Sequence, residues 1–75
     1  MAPVRLRGAL KAAPFRPFAL EMANGKRVPV KHPDYAHLSP AGRTLIVDDD
    51  DDGMEMIDVI LITSLSFAKP RKASA

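Results

Sequence analysis

His32, Asp34 and His37 lie in one short segment and offer two imidazoles and a carboxylate, the donor types that a divalent transition metal shares. Their spacing matches no metal-site signature, Pro33 fixes the backbone between the first two, and no fourth ligand is evident. The segment reads as a polar loop packed under Tyr35 and Leu38, and no structural metal is expected. A second candidate is the run Asp48-Asp49-Asp50-Asp51-Asp52-Gly53, since hard cations take several oxygen ligands from flexible loops. No Glu stands at the twelfth position of a calcium loop counted from any of these aspartates, and adjacent side chains in a short turn diverge. The run is expected to be a solvated hairpin tip, with weak divalent-ion binding as the alternative. Its charge also discourages edge-to-edge pairing with other chains.

Nucleophilic chemistry finds no support. Ser39, Ser64, Ser66 and Ser74 lack the glycine framing of a nucleophile elbow, there is no cysteine, and there is no glycine-rich phosphate loop. The clustered acids do not by themselves define a cleft that would split two carboxyl pKa values. No catalytic residue, cofactor or enzymatic activity is expected.

The basic residues are the remaining candidates. Arg5, Arg16, Lys26, Arg27, Lys31 and Arg43 form a candidate nucleic-acid-binding set with His32 and Tyr35, whose rings can stack on unpaired bases. Arg7 and Lys11 belong to the same basic set, and His37 is a further ring available for stacking. Residues 1–47 hold eight Lys and Arg against Glu21 and Asp34, whereas residues 48–58 hold seven acids and no base. The net charge of +2 therefore conceals a segregated distribution. Such a field is modest for a dedicated nucleic-acid binder, and scattered surface cations also serve solubility.

The elements that position these residues are short. Phe18 to Val30 places apolar residues at alternate positions around Asn24-Gly25, which predicts a hairpin closed by a two-residue type I′ turn. Pro3 to Ala12 predicts a helix, with Leu6, Ala9, Leu10 and Ala13 on one face. Gly8 weakens that helix by about 1 kcal/mol relative to Ala, so it must dock on the rest of the domain. Pro14-Phe15-Arg16-Pro17-Phe18 is an extended connector that clamps the helix through its two rings. A polyproline-type ligand is the weaker alternative there. Lys31 to Leu38 has no clean period and reads as an irregular crossing, followed by turn chemistry in Ser39-Pro40-Ala41-Gly42. Thr44 to Val47 and Met54 to Asp58 are strands of a second hairpin. Val59-Ile60-Leu61 is a tight link, and Ile62 to Phe67 is the last strand, with Thr63, Leu65 and Phe67 on one face.

At 75 residues this is one domain, near the lower limit for a core without disulfides or metal, so association between copies is a natural expectation. Residues 1–69 are assigned to that domain and 70–75 to a flexible basic tail. The absence of cysteine fits a reducing compartment, and Arg5, Arg7 and Lys11 interrupt any secretory apolar region, so the cytoplasm is expected. Val59 to Ile62 is the longest apolar stretch, far short of the roughly 20 residues of a membrane span.

The expected fold is mainly β: a short N-terminal helix followed by a five-stranded, strongly bent antiparallel sheet or small barrel. This order resembles the Sm-like barrel, and more loosely SH3-like barrels, over roughly Val4 to Phe67. Leu20-x-Met22-x-Asn24-Gly25-x-x-Val28 is similar to the opening of the first Sm motif. Val30 stands where that motif has a second glycine, Pro29 falls within the strand, and no Arg-Gly pair occurs near Val59 to Ile62. The resemblance implies an oligomer that binds single-stranded RNA through a basic face. Pro14-Phe15-Arg16-Pro17-Phe18, Gly25, His32-Pro33 and Gly42-Arg43 also resemble a group of small bacterial proteins of unknown function. The first functional expectation is a non-catalytic interaction module whose partner is itself or another protein, with the RNA-binding oligomer as the alternative and no membrane partner.

Overall fold

The computed structural model describes residues 1–49, 51 and 53–67. These residues are mainly β, with one short α-helix, α1 (Pro3–Lys11), and the strands β1 (Phe18–Met22), β2 (Arg27–Val30), β3 (Ala36–Leu38), β4 (Thr44–Asp48), β5 (Met54–Asp58) and β6 (Ile62–Phe67). These strands form two separate antiparallel sheets of three, in the orders β2-β1-β6 and β3-β4-β5. The single five-stranded sheet or barrel is therefore corrected. The cause lies at the two places where the chain passes between sheets. Pro33–Tyr35 is a 3₁₀ turn containing a residue without an amide donor, so it cuts the strand path between β2 and β3. Val59–Leu61 is a second 3₁₀ turn, started by Asp58, whose Oδ1 accepts the Ile60 amide at 3.3 Å. Ala36–Leu38, expected to be irregular, is a strand because it pairs with Leu45–Val47 of β4.

The first hairpin forms where the Asn-Gly signal places it, but with a different turn. Gly25 N–H donates to Met22 O at 2.9 Å, Met22 N–H donates to Lys26 O at 2.8 Å, and Gly25 has φ of 87°. Three residues, Ala23 to Gly25, thus close the loop, and glycine takes the left-handed position. The second turn of the expected chemistry, Ser39 to Gly42, closes by Gly42 N–H donating to Ser39 O at 2.8 Å.

One buried cluster draws on the helix and both sheets. Leu6 and Ala9 enter it from α1, Phe18, Leu20, Val28, Val30 and Ile62 from the first sheet, and Ala36, Leu45, Val47 and Ile57 from the second. Leu10 packs at its edge, whereas Ala13 is exposed beyond the end of the helix. Phe15 and Phe18 sit with ring centroids 5.8 Å apart, so the proline-bounded connector does seat its rings against the core. The facing of β6 departs from simple alternation. Glu21 pairs with Ser64 and Met22 with Ile62, leaving Thr63 as an extra residue whose hydroxyl donates to Glu21 O at 2.9 Å. That bulge turns both Ile62 and Leu65 inward, at a spacing of three. No helix among the described residues is long and apolar enough to cross a membrane. The tail assigned to 70–75 lies outside the described residues.

Candidate functional site

The basic residues are distributed over three places. Lys26, Arg27, Lys31 and Tyr35 gather where the first hairpin meets the turn end of β4 and β5. Arg27, Lys31 and Tyr35 line one shallow pocket there, and Asp48, Asp49 and Glu55 line its opposite wall. The Lys26 ammonium is paired with the Glu55 carboxylate, both half exposed. Arg5 lies along α1 beside Thr63, Ser64 and Phe67 of β6. Arg16, in the connector before β1, reaches the same strand, its guanidinium 4.4 Å from the centre of the Phe67 ring. Arg43 lies just before β4, in the groove that Pro3 of α1, Gly42 and the end of β5 also line. The cations nearest to one another thus face acids contributed by the segment richest in negative charge.

The histidines turn away from a common centre. His32 Nδ1 accepts the Asp34 amide at 3.3 Å, and its ring lies 6.0 Å from that of Tyr35. His37 instead faces Asp48 across the β3–β4 pair, with Nε2 3.7 Å from Oδ2. Among the described residues no group of three His, Asp or Glu side chains converges as a metal site. In the acidic turn, Asp49 Oδ1 accepts the amides of Asp51 at 2.9 Å and Gly53 at 2.8 Å. Its carboxylate therefore organises the loop backbone. Asp50 and Asp52 lie outside the described residues.

A different feature emerges at β5. Among the described residues this strand is an edge, paired with β4 alone, and its outer face carries Met54 and Met56, 67% and 70% exposed. The following 3₁₀ turn adds Ile60, 78% exposed, and Leu61. The free side of this strand thus coincides with large exposed apolar side chains placed on either side of the exposed Asp58. Beside it is an open groove of about 770 Å³, bounded by Met56, Asp58 and Ile60 on one side and by Pro3, Gly42 and Arg43 on the other. Isolated exposed apolar residues need no explanation, but their grouping on a free strand edge does. Sequence reasoning missed this surface because Met-Glu-Met-Ile-Asp is compatible with either facing. Only the register, which sets Leu45 against Ile57 and Ile46 against Met56, turns the methionines outward.

No protein-family model, curated protein or solved structure gives a significant match to the chain.

Proposed function

We propose that this chain is a non-catalytic interaction module that binds through the open edge of β5. The observation that carries this reading is the coincidence of Met54, Met56 and Ile60 with a strand that, among the described residues, is the open edge of its sheet. An added strand would pair with that edge, and the methionines supply a soft, adaptable apolar contact. The test is Met56→Lys, which places a charge on that contact without touching the core. Complexes formed by the intact protein, followed by chemical crosslinking and light scattering, should be lost in the variant while its circular dichroism is unchanged. Retention of every complex would remove β5 as the interaction edge.

Single-stranded RNA binding is the second reading, favoured by the half-exposed Tyr35 ring beside Arg27 and Lys31. It predicts that fluorescence anisotropy detects RNA binding at near-physiological salt, resistant to duplex DNA and abolished by Arg27→Glu. Binding seen only at low salt and displaced equally by DNA would mark ordinary attraction between charges.

A further inference from the structure

The occupant of the β5 edge follows from how charge is laid along the β4–β5 ribbon, and this inference rests on the reading of β5 as an interaction edge. At the turn end lie the exposed Asp49 and Asp51, beyond Glu55, whose carboxylate is already paired with Lys26. At the other end, where Thr44 pairs with Asp58, lies the exposed Arg43. Arg7 is added there from α1, its Nη2 donating to Pro40 O at 3.3 Å. The one carboxylate on β5 at that end, Asp58, accepts the Ile60 amide. The ribbon is thus acidic at its turn and cationic beyond its open end, and such an object is complementary to its own reversed image.

We propose that the partner is a second copy of this chain, joined by antiparallel pairing of β5 with β5 about a two-fold axis at Met56. In this register Met56 meets Met56, and Met54 of each copy lies opposite Asp58 of the other. Each Met54 then enters the groove bounded by Arg43, Met56 and Ile60 of the second copy. Each acidic turn runs past the end of the other β5, beside the other Arg43. The two copies make the same contacts reciprocally, as a closed two-fold interface requires. The acidic turn that opposes edge pairing in general here selects one arrangement. Parallel pairing would bring the two acidic turns together. A shift of one residue would set Met56 against Ile57, reversing which face of the second copy meets the exposed methionines.

The test is the mass of the full chain by sedimentation equilibrium, for the intact protein, Arg43→Glu, Asp51→Lys and an equimolar mixture of the two variants. The intact protein is expected to be a dimer, and each variant alone to associate about tenfold or more weakly, because like charges meet at both ends of its interface. The mixture is expected to recover the dimer, since each pair of facing charges is again opposite. Both side chains are exposed, and thermal melts will show that the variants remain folded. An intact protein that stays monomeric, variants that dimerise as it does, or a mixture that stays monomeric would each overturn the proposal. If the intact protein is monomeric but loses a complex with another protein on Met56→Lys, the edge reading survives and the second copy is excluded. If Met56→Lys alters neither kind of complex, both fail.

Discussion

Gly42 is held by two constraints that act on one atom it lacks. Its φ is 76°, and a Cβ built there would lie 2.6 Å from Cβ of Pro3 on α1. Gly25 shares the left-handed backbone, with φ of 87°, but a Cβ there would meet nothing within 4 Å. The two positions therefore separate conformational cost from packing cost. Gly25→Ala is expected to destabilise by about 1 kcal/mol, the penalty of a left-handed alanine alone. Gly42→Ala should lose about 2–4 kcal/mol, because the helix must also shift away from the turn. Urea unfolding of both variants checks the difference, and equal losses would show that Pro3 yields without cost. At the same scale, the Lys26–Glu55 pair is half exposed and screened by water. Lys26→Ala is expected to change stability by less than about 1 kcal/mol in the same assay.

Helix α1 depends on its docking. It spans nine residues, includes Gly8, and begins after Ala2 without a side-chain cap. A helix of that length is marginal in water, so its persistence rests on Leu6, fully buried, and Ala9. Leu6→Ala should cost about 2–5 kcal/mol and expose the helix amides to hydrogen exchange before those of β1. If helix and strand amides instead exchange together, α1 unfolds only with the sheets. At the opposite end of the chain, β6 is shaped by its bulge at Thr63. That extra residue brings Leu65 opposite Leu20 while keeping Ile62 buried, something strict alternation would not allow.

For the whole molecule, the two sheets and helix share one core, while β5 presents an apolar edge to the outside. Stability and association should therefore respond to different residues. Met56→Lys is expected to leave unfolding free energy within about 0.5 kcal/mol of the intact protein when both are monomeric, because the side chain is 70% exposed. Leu20→Ala, at a fully buried position, should lose about 2–5 kcal/mol. Denaturant unfolding at low protein concentration checks the contrast. A large loss on Met56→Lys under those conditions would mean that the edge supports the fold of a single copy.

Local signals in the sequence determined the helix start at Pro3, the first hairpin, the Ser39–Gly42 turn, the tight link at Val59–Leu61 and most strands, because each depends on neighbours within a few residues. They also marked Leu6, Phe18 and Leu20 as core through periodicity. The turn at Gly25 and the bulge at Thr63 were beyond that reach, since each is set by which residues pair across strands. The division into two sheets was likewise decided by long-range pairing: Ala36–Leu38 has no strand pattern of its own and becomes β3 against β4. The placement of function followed the same rule. The basic residues were legible as types, but their approach to Asp48, Asp49 and Glu55 required the two sheets to meet. The methionines of β5 became an exposed edge only in the tertiary structure, because side-chain facing in a short strand is fixed by register and not by composition.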